Sequence, residues 1–244
     1  MTAIEIVGHR GAAGEAPENT LAGFAHARSI GVAGVEFDVR LSGDSQLVVI
    51  HDATVDRTTY SSGTVAELDA AEMAAMDARR TCPSWPEPTG IPTLSEALDI
   101  ISSFEAIQFE IKSDAAERLE RVAEGLVTEI RARSLERQAS VTSFDPVAIE
   151  LVRRIAPDLS CAFISRPTDP EAVETALRLG CTQLNLHLYR ETSADLVRSA
   201  HDAGLRVGGG PCDTIEDLEC AIAWSMDSVT SDNPSLLLKH LATV

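Results

Sequence analysis

The stretch VEFDVRLSGDSQLVVIHD (Val35–Asp52) contains the most informative pattern in this sequence of 244 residues. Its first half alternates, so Glu36 and Asp38 lie on the same face of a predicted strand, among Val and Phe side chains. Adjacent buried carboxylates repel each other and are unstable unless a cation offsets their charge. The pattern therefore predicts a strand that carries a cation site, and a divalent metal is one candidate for the cation.

The second half of the stretch is predicted to fold back as a hairpin. A turn about Gly43-Asp44 pairs residues whose numbers add up to roughly 87, which places His51 across from Glu36. A register slip of one or two residues is also compatible with the sequence, because Gly-Asp is a weaker turn signal than Asn-Gly. The hairpin is therefore expected to bring carboxylates and an imidazole to one place.

Short apolar runs alternate with amphipathic helical stretches along the chain, which is typical of repeated βα units around a parallel sheet. The predicted strands are Ile4–His9, Gly34–Arg40, Ala106–Lys112, Gln138–Phe144, Leu159–Ser165, Thr182–Leu188, Leu205–Gly209 and Asp227–Asp232. The predicted helices are Thr20–Ile30, Leu94–Ser102, Ala115–Arg133, Pro146–Ile155, Pro170–Leu179, Ser193–Ala203 and Ile215–Ala223. About eight strands favour a closed (β/α)₈ TIM barrel, and a Rossmann fold is less compatible because no G-x-G-x-x-G follows the first strand.

One α/β domain over residues 1–244 is expected, because single barrels commonly have roughly 250 residues. The segment Ala53–Pro92 interrupts the βα rhythm and is interpreted as an inserted loop with a short helix near Val65–Met76. An insertion after a strand end is expected over the mouth of a barrel. Asn19 is a predicted N-cap for the first helix, and Gly31 is predicted to end it.

Composition excludes several classes of partner. The chain has 20 basic and 38 acidic residues and a net charge of −18, so nucleic acids and stable association with anionic membranes are not expected. The five cysteines are odd in number and form no C-x-x-C pair, which argues against a disulfide framework or a cysteine zinc site. With no signal-peptide pattern at the amino terminus and no apolar run of about 20 residues, a cytoplasmic protein is expected.

Charged residues recur at the ends of the first three barrel strands, where a barrel of this kind builds its active site. His9-Arg10 ends the first strand, and Glu110 and Lys112 share a face at the end of the third. Together with the hairpin they give three carboxylates, two histidines and two cations. Carboxylates suit Mg²⁺ or Ca²⁺ better than Zn²⁺, the cations can neutralise a phosphate, and two imidazoles can serve as acid and base. This set predicts phosphodiester cleavage of a small molecule, although a purely structural ion network is an alternative.

The same residues carry a resemblance to a known family. The motifs are His9-Arg10-Gly11, Ala16–Ala22, Glu36–Val39, His51-Asp52, Arg57–Thr59, Ile91–Leu94, Glu110–Lys112, Ser143–Asp145 and Thr230–Pro234. In order and spacing they resemble the glycerophosphodiester phosphodiesterase family, whose members hydrolyse glycerophosphodiesters to glycerol 3-phosphate and an alcohol. The resemblance implies a TIM barrel in which Glu36, Asp38 and Glu110 bind a divalent metal. It also implies His9 and His51 as the acid/base pair, Arg10 and Lys112 as phosphate ligands, and an insertion that shapes the entrance through Tyr60 and Trp85.

The chain departs from the family at the predicted seventh strand, where Gly208–Gly210 stand in place of an aromatic residue followed by Thr-x-Asn. These glycines either let backbone approach a phosphate or form a loose turn. Asn185 and His187 share a face on the preceding strand and are candidates for lining the pocket or for core hydrogen bonds. Asn19 is a candidate support for the site as well as a helix cap.

Two other functions fit the sequence. The same chemistry could act on a larger substrate, such as a lysophospholipid or a glycerol-phosphate polymer, because the missing aromatic wall leaves the pocket open. A non-catalytic barrel that binds glycerophosphodiesters is the alternative from a different class, although every matched metal and acid/base position holds a competent side chain.

Overall fold

A computed structural model describes residues 4–187, 189–191 and 193–243. Its strands are β1 (Glu5–His9), β2 (Gly34–Leu41), β3 (Leu47–Val49), β4 (Ala106–Ile111), β5 (Ala139–Ser143), β6 (Ser160–Ser165), β7 (Gln183–His187), β8 (Arg206–Gly210) and β9 (Ser228–Ser231). Its helices are α1 (Leu21–Ile30), α2 (Ala70–Ala74), α3 (Leu94–Ile101), α4 (Ala116–Ala132), α5 (Pro146–Ile155), α6 (Ala172–Arg178), α7 (Ala194–Asp202), α8 (Ile215–Ala223) and α9 (Pro234–Leu241). No helix in the described ranges is long and apolar enough to cross a membrane.

Eight parallel strands form a closed ring. The order around it is β1, β2, β4, β5, β6, β7, β8 and β9, and β1 pairs with both β2 and β9. The short β3 pairs antiparallel with β2 outside the ring. Helices separate successive ring strands, so the predicted (β/α)₈ TIM barrel with a hairpin extension is confirmed.

Strand alternation sorts the barrel side chains into a helix-facing layer and an interior layer. The helix-facing rings of Phe37 and Phe109 lie 5.0 Å apart, and Phe24 of α1 lies 5.5 Å from Phe37. Because side chains alternate along a strand, the neighbouring residues Glu36 and Glu110 then point into the barrel. The hydrophobic layer therefore fixes the direction of the acidic side chains.

Most predicted elements are observed with ends displaced by one or two residues, which is the usual uncertainty of boundaries. The last residue of the predicted strand Thr182–Leu188, Leu188, lies outside the described residues. Helix α9 was not predicted, although Pro234 in its first turn is a recognised helix-start signal. The short helix α2 falls within the predicted Val65–Met76 range.

The hairpin register differs by one residue from the prediction. Val39 pairs with Val49 and Leu41 with Leu47, so paired numbers add up to 88. The turn is longer than Gly43-Asp44 because Ser45 also belongs to it, with a left-handed φ of 69°. Pairing in β3 ends at Val49, and His51 lies beyond the ladder rather than opposite Glu36.

The cap of α1 is Thr20 rather than Asn19. The Thr20 hydroxyl accepts a hydrogen bond from the Gly23 backbone N–H at 3.0 Å. Asn19 has a φ of 55° and its side-chain amide donates to Asp38 at 2.8 Å. The predicted cap role of Asn19 is therefore wrong, because this side chain is held by the acidic strand instead. Gly31 ends the helix in the left-handed conformation, as predicted.

The segment 53–92 packs on the outside of the hairpin. Val55, Val65 and Met73 form a second hydrophobic cluster with Val48 and Ile50. The Trp85 ring packs edge-on against His26 of α1, with centroids 5.9 Å apart, and Tyr60 is 61% exposed. The segment therefore covers the hairpin that ends at His51 and fixes its position.

Candidate active site

The carboxyl ends of the barrel strands surround a cavity of about 240 Å³. Seven of the nine candidate site residues line it: His9, Arg10, Glu36, His51, Glu110, Lys112 and His187. Asp38 lies directly behind the wall at 1% exposure, and Asn19 is hydrogen bonded to it. The structure therefore brings the whole predicted set into one region.

The loop after β1 turns sharply and positions the first two of these residues. Arg10 and Gly11 both have positive φ angles, 50° and 92°. A Cβ atom on Gly8 would lie 2.0 Å from the carbonyl oxygen of Gly11, so the loop can fold back only because Gly8 has no side chain. This conformation directs the Arg10 backbone N–H to Glu36 Oε2 at 3.2 Å.

Glu36, Asp38 and Glu110 form a compact acidic cluster on β2 and β4. Each offers one carboxylate oxygen, and these atoms lie within 4.8 Å of one another. Asp38 and Glu110 are register partners, and all three residues are at most 8% exposed. Three carboxylates this close, on a rigid sheet, form the oxygen-rich environment that Mg²⁺ or Ca²⁺ prefers.

The charges in the cluster are unbalanced. Burial, followed by the charge of Asp38, raises the pKa of Glu36 to about 8 from 4.5. The same causes raise the pKa of Glu110. Burial also opposes ionisation of Asp38, but Lys112 and Arg10 outweigh it and lower the pKa of that carboxyl. Because the pKa values of Glu36 and Glu110 are both raised, additional positive charge would stabilise the ionised form of the cluster.

Two cationic side chains contact the acidic cluster but do not provide hydrogen bonds to all of its carboxylate oxygens. Lys112 Nζ lies 2.5 Å from Glu110 Oε1 and 3.4 Å from Asp38 Oδ1, and Arg10 Nε lies 3.3 Å from Asp38 Oδ2. Glu36 Oε1 and Asp38 Oδ1 are buried without a hydrogen-bond partner among the described residues. A purely structural ion network would satisfy these oxygens, so the arrangement fits a bound cation better.

Each of the two predicted acid/base histidines is oriented by a carboxylate. His9 Nδ1 lies 2.6 Å from Asp232 Oδ1, and His51 Nδ1 lies 2.6 Å from Asp52 Oδ1. Since both contacts use Nδ1, the Nε2 atoms are left for the cavity, and His9 Nε2 lies 3.8 Å from Glu36. This arrangement suits imidazoles that exchange protons with a bound molecule.

The two imidazoles differ in their tendency to hold a proton. Burial lowers the pKa of His9, but the hydrogen bond to Asp232 and the charge of Glu36 outweigh burial and raise it to about 9 from 6.5. Burial lowers the pKa of His51, and the raising effects of Asp38 and Asp52 do not offset it. The two histidines that line the cavity therefore differ in proton affinity.

Replacing Asp232 with asparagine is expected to lower the pKa of His9 from about 9 in the protein without added metal, because a charge and a strong acceptor are lost. An NMR titration of the imidazole resonances measures this. The matched control is Asp227→Asn, which removes the carboxylate 3.0 Å from His201 and should leave the His9 titration unchanged. An unchanged His9 titration in Asp232→Asn would contradict the assigned pairing.

Sequence reasoning assigned no role to the residues that support this set. Asp52 follows His51 directly, and Asp232 immediately follows β9, so adjacency and strand-end position were the available signals. Glu18 is held by Arg57 at 2.6 Å and accepts from Arg10 at 2.9 Å. Arg57 also contacts Asp52 at 2.6 Å, so the inserted segment contributes to the site through the Arg57 side chain.

The remaining wall of the cavity comes from β5 to β9. Phe144 and His187 stack edge to face, with centroids 5.6 Å apart. Gly209 and Gly210 of β8 line the cavity with Pro211, and the phenyl ring in this wall comes from Phe144, the residue after β5. Tyr60 and Trp85, expected to shape the entrance, are not among the lining residues.

Comparisons with known proteins agree with this arrangement. The model of the glycerophosphoryl diester phosphodiesterase family matches residues 9–236. A protein named glycerophosphodiester phosphodiesterase from Caldanaerobacter subterraneus subsp. tengcongensis is 31% identical over 234 residues, covering 96% of each chain.

Solved structures show the same fold. A phosphodiesterase from Oleispira antarctica, in complex with the product sn-glycerol-3-phosphate, has a TM-score of 0.90 and 26% identity, with 98% of this chain and 96% of that chain covered. A Silicibacter pomeroyi structure described as a glycerophosphoryl diester phosphodiesterase has a TM-score of 0.88 and 27% identity, covering 99% and 94%. The chain therefore belongs to the glycerophosphoryl diester phosphodiesterase family.

Proposed function

We propose that this protein hydrolyses glycerophosphodiesters to glycerol 3-phosphate and an alcohol, using a divalent metal and the histidine pair His9 and His51. The observation that carries the proposal is the acidic cluster beside two carboxylate-oriented imidazoles at one cavity. Family membership and the product complex of the Oleispira protein support the substrate class. Five cysteines without a disulfide support a reducing, cytoplasmic location.

The metal is held by Glu36, Asp38 and Glu110. Glu36 Oε1 and Asp38 Oδ1 support this assignment, because both are buried without a hydrogen-bond partner among the described residues, although Lys112 Nζ lies 3.4 Å from the second. Three carboxylates favour Mg²⁺ or Ca²⁺. When bound, such an ion neutralises the charge that develops on the phosphate oxygens. Lys112 and Arg10 add positive charge at the same place, and their contacts with Asp38 fix their heads at the cluster.

The two histidines move the protons of the reaction. One imidazole accepts the proton of the attacking hydroxyl, and the other donates a proton to the leaving alkoxide. Asp232 and Asp52 hold the two rings by Nδ1, so Nε2 is the atom that exchanges the proton in each case. Asn19 keeps Asp38 in place through its 2.8 Å hydrogen bond. The attacking hydroxyl belongs either to water or to the adjacent glycerol carbon, and the second route forms a cyclic phosphate first.

A larger substrate is a second candidate, because the mouth of the cavity is open and partly apolar. Phe144 lines the cavity and is 39% exposed. An acyl chain of a lysophospholipid would find apolar contact there. The acidic cluster and the histidines would act on its phosphodiester in the same way.

A substrate panel tests the proposal. We expect EDTA-treated protein to be inactive and Mg²⁺ or Ca²⁺ to restore release of glycerol 3-phosphate from glycerophosphocholine or glycerophosphoethanolamine. Faster turnover of lysophosphatidylcholine would favour the larger substrate. Binding of glycerophosphodiesters without metal-dependent hydrolysis would instead identify a non-catalytic barrel.

In solvent labelled with ¹⁸O, ³¹P NMR distinguishes direct water attack from an early cyclic phosphate.

A further inference from the structure

The cavity has a hydrogen-bonding floor that the acid/base and metal residues do not use. We define the cavity floor as the uncharged polar side chains that line the cavity between β4 and β9: Gln108, Thr142, Asn185, Ser228 and Thr230. Among the described lining residues the acids are Glu36 and Glu110, both in the acidic cluster. The floor is therefore suited to a neutral, hydroxyl-bearing group rather than to a cation.

Thr142 is the exceptional member of the floor. It is 0% exposed, and its Oγ1 has no hydrogen-bond partner in the described part of the chain, although the residue lines the cavity. A buried hydroxyl without a partner destabilises a protein, because it has lost its hydrogen bonds to water. An unpartnered side chain directed at a cavity therefore indicates a ligand that supplies the missing partner.

The position of Thr142 places that partner next to the reacting phosphate. Thr142 on β5 is the register partner of Glu110 on β4 and of Ala162 on β6. Glu110 in turn contacts Lys112 and belongs to the acidic cluster. A phosphate bound at the cluster would thus have its nearest ester substituent within reach of the Thr142 hydroxyl.

The glycines of β8 leave room for the polar side chains of the cavity floor. A Cβ atom on Gly210 would lie 1.8 Å from Thr230 Oγ1, and one on Gly208 would lie 2.4 Å from Asn185 Oδ1. Hydroxyl and amide groups therefore occupy the volume where β8 side chains would otherwise point. Polar side chains therefore line the cavity where the family resemblance implies an aromatic residue.

The amide side chains of the floor, Gln108 and Asn185, are already hydrogen bonded. Asn185 Oδ1 accepts from Gln183 Nε2 at 2.6 Å, and Asn185 Nδ2 donates to Gln108 Oε1 at 3.4 Å. These contacts fix the floor without involving Thr142. A ligand hydroxyl can therefore bind the threonine without breaking an existing hydrogen bond.

We propose that Thr142 is a specificity-determining residue that hydrogen-bonds a hydroxyl of the glycerol group, so that glycerol lies on the cavity floor and the released alcohol lies at the mouth. This inference rests on the proposed function for its choice of ligand. Glycerol is small, neutral and rich in hydroxyls, which matches the enclosed floor. The variable alcohol needs open space, which the cavity offers beside the partly exposed ring of Phe144.

Binding of two phosphate monoesters tests the proposal. Glycerol 3-phosphate and n-propyl phosphate have the same carbon number and charge, and only the first has hydroxyls on its chain. In calorimetric titrations with Mg²⁺ present, Thr142→Val should weaken binding of glycerol 3-phosphate about tenfold, as expected for one lost hydrogen bond. The affinity of Thr142→Val for n-propyl phosphate should stay within about twofold of that of the unmodified protein, because the phosphate contacts are retained. Thr142→Ser, which keeps the hydroxyl, should preserve the preference for glycerol 3-phosphate.

The possible outcomes are separable from those of the proposed function. Equal loss of both ligands in Thr142→Val, no loss of either, or no binding of glycerol 3-phosphate to the unmodified protein would each overturn the role of Thr142. Selective loss supports it, whether or not the protein hydrolyses any diester. Absence of hydrolysis together with selective loss would leave the floor assignment standing and reject the enzymatic function.

Discussion

Replacing either His9 or His51 with alanine is expected to lower the turnover of a glycerophosphodiester by at least about 10²-fold, the usual contribution of a general acid or base. The metal should still bind, because neither imidazole belongs to the acidic cluster. Initial rates of glycerol 3-phosphate release at saturating metal measure the effect. A calorimetric titration of Mg²⁺ or Ca²⁺ into each variant checks that the metal is retained.

Because His9→Ala leaves the Asp232 carboxylate without its histidine partner, His9→Asn is a useful companion. Asparagine can place its amide nitrogen near Asp232, but it cannot transfer a proton at neutral pH. The matched control is His201→Asn. His201 also lies 3.0 Å from an aspartate, Asp227, but does not line the cavity. Wild-type rates in His9→Asn or in His51→Ala would refute the assignment of that histidine, as would an equal loss in His201→Asn.

The sequence contains enough information to predict this site because its members come from short strands with strict alternation. Glu36 and Asp38 share a face through period two alone, and Glu110 joins them because parallel neighbours end at the same edge of the barrel. The hydrophobic residues between them, such as Phe37 and Phe109, fix that direction by packing against helices. The cluster could therefore be predicted without knowing any loop conformation.

What the sequence did not reveal depends on backbone conformations that side-chain pattern does not encode. A left-handed Ser45 lengthens the hairpin turn by one residue and moves His51 off the ladder. A left-handed Asn19 turns its amide toward Asp38 and leaves the helix cap to Thr20. Neither conformation can be predicted from the residue type, because Ser and Asn are common both in turns and at helix caps.

The pairing of Asp232 with His9 could not be predicted for a different reason. The two residues are separated by 223 positions and meet only because β9 closes the barrel against β1. Barrel closure is a property of the whole strand order, which alternation predicts only as a fold class. Closure of the barrel also places the β8 glycines, whose role the sequence left open, against Thr230 and the other side chains of the cavity floor.

Substituting Glu36 with glutamine is expected to weaken Mg²⁺ or Ca²⁺ binding by at least about tenfold, or about 1.4 kcal/mol. The change removes a charged oxygen ligand while keeping the size of the side chain. Calorimetric titration of the metal into EDTA-treated, dialysed protein gives the affinity directly. Turnover should fall at low metal concentration and recover in part at high concentration.

The pH dependence of metal binding gives a second measurement with a defined sign. The pKa of Glu36 is raised to about 8 by burial and by Asp38, so below that pH a metal must displace a proton. The affinity of the unmodified protein should therefore rise with pH until about pH 8 and then level off. Glu36→Gln has no such proton to lose, and its affinity should change less over the same range.

As the pH rises, the stability of the metal-free protein should fall, whereas its affinity for the metal should rise. The unfolded chain loses the Glu36 proton near pH 4.5, whereas the folded protein holds it until about pH 8, so ionisation opposes folding increasingly across this interval. At pH 9 the metal-free Glu36→Gln variant should therefore melt at a higher temperature than the unmodified protein.

Glu124→Gln, an equal charge change on the exposed face of α4, is the matched control for both measurements. A variant that binds metal as tightly as the unmodified protein would remove Glu36 from the metal site, because repulsion within the cluster alone predicts only the change in stability.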